Sequence, residues 1–262
     1  MILNGSLYSK VLGMHTGISI FTPEQLSKTY RVVYLLHGLH GSNQTWINNT
    51  MLAQFAGRFD TIFIMPEVGR SFYCDMTFGY NYKTYICDEL PSIVKSIFKI
   101  SAKRDDTAII GCSMGGYGAL KLSLSKPGQY GFCGAISPAC LFLSEQLAGL
   151  RKEGASWAAA SPENAALLRD MTAIFGQDLR AKAESDPLAL AKKAASQKNK
   201  AKIFACCGKQ DDLLEENRKF NHAIQDLGLD YNFAEWDGKH DWVFFNDALK
   251  KALDIWEESF LY

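Results

Sequence analysis

The 262-residue chain has no excess of either charge: 28 Lys and Arg balance 28 Asp and Glu, giving a net charge of zero at pH 7. Binding to phosphate backbones or anionic lipid rests on a surplus of basic side chains. This balance, with no Lys/Arg stripe, argues against nucleic acid and membrane as partners. Long apolar runs are missing too. Stretches such as Val32 to Leu36 fall far short of the roughly 20 residues that span a bilayer. The first residues, MILNGSLYSKVLG, lack the basic and apolar regions of a secretory signal. No C-x-x-C and no H-E-x-x-H occurs, so a metal site has no support. The seven cysteines are odd in number, show no repeated spacing and include the adjacent Cys206 and Cys207. Such a set is not a disulfide framework, and reduced thiols in a cytoplasm are the expectation.

What is present is the composition of a globular protein: 47% hydrophobic and 21% charged residues, enough to bury a large core. Short β-rich runs alternate with helix-like stretches. Leu7 to Leu12 and Ile18 to Thr22 suggest an opening hairpin. RVVYLL (31–36), TIFIM (61–65), TAIIG (107–111), FCGAIS (132–137), KIFACC (202–207) and the segment 231–236 read as strands buried on both faces of a parallel sheet. Between them, 88–99, 114–125 and 213–227 carry helical spacing. This alternation predicts an α/β fold, a mostly parallel central sheet with helices on both faces. One stretch breaks the pattern. From about 139 to 199 the chain is rich in Ala, Lys and Glu without a convincing strand, and Ser161–Pro162, Gly176 and Asp186–Pro187 divide it. We read residues 1–262 as one domain with a helical cap insertion at about 139–199. Whether it is a monomer or a homo-oligomer is not legible.

Gly111-Cys112-Ser113-Met114-Gly115 matches G-x-S-x-G, with a strand before it and a small-residue helix, GGYGALKLSLS, after it. That context is the strand–turn–helix in which a serine hydroxyl is held out above a sheet edge. Cys112 beside it reads as buried filler. A serine hydroxyl needs a base to take its proton. Of five histidines, His15, His37 and His40 precede Ser113, whereas this arrangement runs Ser, acid, His. His222 falls within a helix. His240, in Asp237-Gly238-Lys239-His240-Asp241-Trp242, lies just past the last strand and is the candidate base. The orienting acid should follow KIFACCG, where Asp211 and Asp212 are both in range; the other would cap the next helix. Spacing leaves that choice open. Backbone amides of Met114 and of Leu39, in His37-Gly38-Leu39-His40-Gly41, are the candidate oxyanion donors. His40, Trp46 and Phe78 are candidate pocket residues, in an aromatic-rich region that also holds Phe72, Tyr73, Tyr80 and Tyr82.

YSKVLG, LLHGLHGSNQTW, the MPE segment, FGYNYKTYICDELP, GCSMGGYGALKLSLSKP, CGKQDDLLEEN and GKHDW occur in this order. Together they make the chain resemble the esterase D family of α/β hydrolases, most of all its tributyrin-esterase branch. The resemblance implies an α/β-hydrolase fold and hydrolysis of short-chain acyl esters by a serine esterase without metal or organic cofactor. It implies Ser113 as nucleophile, His240 as base, Asp211 as acid through a G-x-x-D pattern, and oxyanion amides on Leu39 and Met114. The Glu67-Val68-Gly69-Arg70 loop matches no family pattern. Relatives include feruloyl and acetyl-carbohydrate esterases and S-formylglutathione hydrolases. A small-molecule or oligosaccharide ester is therefore the expected partner. A thioesterase, an acyltransferase and a non-catalytic binding protein are the rival readings.

Overall fold

The computed structural model describes residues 1–23, 29–57 and 60–259. Eight strands form one sheet in the order β1-β2-β4-β3-β5-β6-β7-β8. Strands β1 (Ile2–Ser9) and β2 (Met14–Phe21) are antiparallel, and β2 pairs antiparallel with β4 (Thr61–Pro66). Strands β3 (Arg31–Leu36), β4, β5 (Thr107–Cys112), β6 (Phe132–Ile136), β7 (Lys202–Gly208) and β8 (Tyr231–Trp236) all run parallel. The six continuous apolar runs thus become the parallel core of an α/β-hydrolase sheet. For β3 to β7 their composition follows from burial on both sides; β8, expected to be buried on both faces too, is instead the last strand of the sheet, and none of its six residues is buried. On β3, Val32, Tyr34 and Leu36 join one apolar layer while Val33 and Leu35 join the other.

The first layer packs against α4 (Leu90–Ile97), α5 (Met114–Ser125), α8 (Pro187–Ala194) and α9 (Leu214–Ile224). The second packs against α1 (Thr45–Asn49), α2 (Leu52–Ala56) and α10 (Trp242–Glu258). Ahead of α4, α3 (Tyr82–Thr84) and a π-turn (Tyr85–Glu89) make one continuous helix from 82 to 97. It starts six residues before the expected 88.

Between β6 and β7 lie α6 (Leu143–Ala159), α7 (Pro162–Phe175), a 3₁₀ turn (Ala183–Ser185) and α8. The punctuation read from sequence starts the second and third helices. Ser161 Oγ accepts the Asn164 amide at 3.1 Å and Asp186 Oδ1 the Ala189 amide at 3.0 Å, each with Pro at the first helical position. The hairpin differs from expectation. Val11 and Leu12 are turn residues, closed by a Gly13 N to Ser9 O bond at 2.9 Å, because Leu12 is drawn into the core and Gly13 takes φ +67°.

Candidate active site

The parallel strands bring their carboxyl ends to one edge of the sheet, and the residues of interest sit on the loops there. Ser113 joins β5 to α5 with φ 56° and ψ −119°, a region that costs an L residue energy. The turn around it is tight. A Cβ on Gly111 would lie 2.3 Å from Gly115 O, and one on Gly115 would lie 2.2 Å from Leu36 O. Only glycine fits at either position. Ser113 N bonds Ile136 O at 2.9 Å, and Tyr117 N closes the first helical turn on Ser113 O at 3.0 Å. Cys112 beside it is buried, and burial pushes its thiol up to about 12. It is a packing residue.

Beyond β7 and β8, His240 Nδ1 lies 2.8 Å from Asp211 Oδ2. The Asp211 side chain is fully buried, while that of His240 keeps 36% of its surface. Burial alone would raise the Asp211 pKa. The hydrogen bond from His240 and the Leu213 amide outweigh it, and the carboxyl falls below its ordinary 3.8. The two loops are stitched together: Lys209 N bonds Trp236 O at 2.8 Å and Gln210 N bonds Gly238 O at 2.9 Å. Phe245 meets the His240 ring edge-to-face at 5.0 Å.

Asp212 does not cap the next helix, contrary to the sequence reading. It is exposed, and α9 has no side-chain cap; Asp211 Oδ2 meets His240 while its Oδ1 accepts the amide of Leu213, the residue before the helix, at 2.9 Å. His222 lies inside α9, as expected.

The loop after β3 approaches Ser113 from the other side. A Cβ on Gly38 would stand 3.5 Å from Ser113 Cβ. The amides of Leu39 and Met114 have no acceptor among the described residues. Met114 N is one of the orphan donors of a helix start.

Several residues that sequence reasoning did not select hold this loop. His37 is buried; its Nδ1 donates to Gly38 O at 2.8 Å, and its Nε2 lies 3.3 Å from Val68 N and 3.4 Å from Glu67 Oε1. Glu67 also accepts the Asn43 amide at 3.1 Å and the Gly69 amide at 2.7 Å. Burial would raise the Glu67 pKa, but the adjacent His37 and the two amides bring it down to about 2. Tyr73 donates its hydroxyl to His37 O at 2.8 Å. Phe72 and Tyr73 both have positive φ, 49° and 54°, and buried Lys121 donates to their carbonyls at 2.9 and 2.8 Å.

Of the three pocket candidates, His40 and Phe78 are exposed. Trp46 is not a pocket residue: it has no exposed surface, donates Nε1–H to Leu36 O at 3.0 Å and meets Trp242 edge-to-face. An indole with its one donor satisfied by a strand carbonyl belongs to the core. Phe78 N bonds Ala173 O at 2.8 Å, Thr77 N bonds Ile174 O at 3.0 Å, and Arg70 Nε meets Asp170 Oδ2 at 2.8 Å. Helix α7 is thereby tied to the segment after β4. Among the described residues, no cluster of metal-ligating side chains occurs and no helix is long and apolar enough to cross a membrane.

A serine on a strained strand–helix turn and a buried Asp bonded to a partly exposed His at the same end of the sheet define a serine hydrolase of the α/β-hydrolase class. The Esterase family model matches residues 9–254, and the chain belongs to that family. An acetyl esterase of Caldicellulosiruptor saccharolyticus is 28% identical over 97% of both chains. Among solved structures, the fluorophosphonate-binding serine hydrolase F of Staphylococcus aureus, with substrate bound, superposes with TM-score 0.82 at 28% identity over 98% of each chain. The S-formylglutathione hydrolase of the same organism gives 0.80 at 29% identity, covering 98% of this chain and 99% of that one. The chain is a serine ester hydrolase, a carboxylesterase.

Proposed function

We propose that Ser113 is the nucleophile, His240 the base and Asp211 its orienting acid, and that the substrates are small carboxylic esters with acetyl or other short acyl groups. The observation that carries this is the 2.8 Å Asp211–His240 hydrogen bond at the sheet edge that also presents Ser113. Asp211, held ionised, accepts a hydrogen bond from Nδ1–H and leaves Nε2 free to take the Ser113 proton. Ser113 attacks the ester carbonyl, and the developing oxyanion is held by the Leu39 and Met114 amides. His240 then protonates the departing alcohol, and on the return step it activates the water that releases the acid. The helices between β6 and β7, anchored to the segment after β4, form one wall over the site.

Ser113→Ala tests the reading. Turnover of p-nitrophenyl acetate should fall by about three orders of magnitude or more, because the three residues act as a unit. Labelling by a fluorophosphonate should vanish with it. Near-normal hydrolysis by this variant would overturn the assignment. A second reading, thioester hydrolysis, is favoured by the match to an S-formylglutathione hydrolase. Comparing kcat/KM for a glutathione thioester with that for an acetylated sugar decides between them.

A further inference from the structure

Lys121 of α5 has no exposed surface, and among the described residues no carboxylate lies within ion-pair distance of it. Buried lysines are ordinarily paired with one. Its Nζ donates instead to Phe72 O at 2.9 Å, Tyr73 O at 2.8 Å and Cys74 Sγ at 3.0 Å. Two of these acceptors are inert carbonyls. The third is a thiol, itself 2% exposed, that donates to Phe72 O at 3.3 Å and otherwise meets Tyr117 Oη at 3.8 Å and Ser185 Oγ at 3.9 Å. Among the described cysteines, no other has a lysine amine in hydrogen-bonding contact. The contact is fixed on both sides. Phe72 and Tyr73, just ahead of Cys74, hold positive φ, a conformation that costs a residue with a side chain. Lys121 Nζ lies over the Tyr117 ring, 4.8 Å from its centroid.

We propose that Cys74 and Lys121 form an oxidative cross-linking site, in which a small hydroperoxide oxidises the thiol and the amine captures the product as a sulfenamide. Cysteines turn reactive beside a lysine. Hydrogen peroxide transfers one oxygen to Sγ, giving a sulfenic acid and water. Sulfenic acids condense with nearby nitrogen. Lys121 gives up one proton, the Nζ lone pair attacks Sγ, and the S–O bond breaks. The hydroxyl leaves with a second Nζ proton as water. Overall one thiol, one ammonium group and one hydrogen peroxide give one S–N bond, two waters and one proton. Sulfur is oxidised by two electrons and the peroxide is reduced by two. An amine already 3.0 Å from Sγ intercepts the sulfenic acid before a second peroxide carries it to sulfinic acid. Ser185, which meets Sγ, belongs to the 3₁₀ turn whose other residues, Ala183 and Glu184, are exposed and line a polar cavity of about 500 Å³. The thiol is thus covered by one short surface turn, which a water-sized peroxide has to pass.

The cross-link reaches the catalytic machinery through Tyr73. After condensation Nζ keeps one hydrogen, so either Phe72 O or Tyr73 O loses its donor, in a turn whose strained φ values need that support. Tyr73 donates its hydroxyl to His37 O, directly ahead of Gly38 and Leu39. The oxidised chain should therefore hold the Leu39 amide less well. Formation of the link does not depend on the Ser113 assignment; only the activity readout does.

The experiment treats the native chain, Cys74→Ser and Lys121→Met with hydrogen peroxide at a dose that oxidises free cysteine. Each is then unfolded, digested with pepsin and analysed by mass spectrometry. The native chain should yield the Cys74 and Lys121 peptides joined, lighter by two hydrogens than their sum, and dithiothreitol should separate them. Its kcat on p-nitrophenyl acetate should fall about tenfold, as a misaligned oxyanion donor implies, and recover with the reductant. Cys74→Ser should form no link and keep its activity through the treatment. Lys121→Met, where it folds, should carry Cys74 on to sulfinic acid; where it does not, the native digest decides. Cys74 recovered from the native chain as thiol or sulfinic acid with no joined peptides would overturn the site. Joined peptides that retain the oxygen would overturn the condensation. Full activity in the linked chain, or an equal loss in Cys74→Ser, would overturn the coupling to the Leu39 amide.

Discussion

At the scale of single residues, the division of labour between Asp211 and Asp212 follows from reach. Asp211 is buried with one oxygen on His240 and the other on the Leu213 amide, while Asp212 faces solvent. Asp211→Asn should reduce kcat on p-nitrophenyl acetate by about three to four orders of magnitude, because the amide no longer holds the imidazole in its working tautomer. Asp212→Asn should leave kcat within about twofold, as a surface change does. The reverse pattern would move the acid to Asp212. Glu67 is the less obvious case. Its carboxylate joins the Asn43 and Gly69 amides to the buried His37 that precedes Gly38 and Leu39. Its pKa, lowered from 4.5 to about 2, means the folded state prefers it ionised. That preference adds stability above pH 4.5, and the contribution is lost as pH falls toward 2. Glu67→Gln should therefore lose less stability than the native chain between pH 5 and 3 in urea unfolding. It should also lower kcat about tenfold, with KM little changed, as the Leu39 amide loses its alignment. Equal acid sensitivity and equal kcat in the two proteins would remove Glu67 from this role.

At the scale of elements, legibility tracks how locally a feature is determined. Helix α5 has the bounds read from sequence, 114 to 125, because the strained Ser113 turn and Lys126 outside it delimit it. Strands β3 and β8 also keep their expected limits. The order of Ser113, Asp211 and His240 along the chain was readable because each follows its own strand. What could not be read lies in contacts between distant segments. Lys121 of α5 drew no reading from the sequence, yet it is buried and its Nζ donates to the carbonyls of Phe72 and Tyr73. The only hint was its position, a lysine flanked by Leu120 and Leu122 in a helix buried almost all round. Trp46 failed the opposite way: an aromatic near the site suggested a pocket wall, and its packing against Trp242, nearly two hundred residues away, makes it core. The early start of the 82–97 helix rests on a π-turn that leaves no periodic signal.

At the scale of the whole molecule, the seven cysteines act as distributed reporters. All are free, and Cys74, Cys87, Cys112, Cys133, Cys206 and Cys207 are buried. They lie on β5, β6, β7, the π-turn and the loop after β4, so they sample both apolar layers of the sheet. Burial also pushes the thiols of Cys87 to about 11 and of Cys133 and Cys207 to about 12, and that of Cys206 well up. The thiolate is the reactive form, so Cys87, Cys133, Cys206 and Cys207 are silenced twice, by exclusion of the reagent and by suppressed ionisation. Reaction then requires opening of the fold. If residues 1–262 are one cooperative unit with the β6–β7 helices inserted in it, Cys87, Cys133 and Cys206 can open only together. Native-state thiol labelling, followed by mass spectrometry at rising urea, should give these three a single opening free energy that matches global unfolding. Two separate classes within Cys87, Cys133 and Cys206 would divide the sheet into independent units and contradict the single domain.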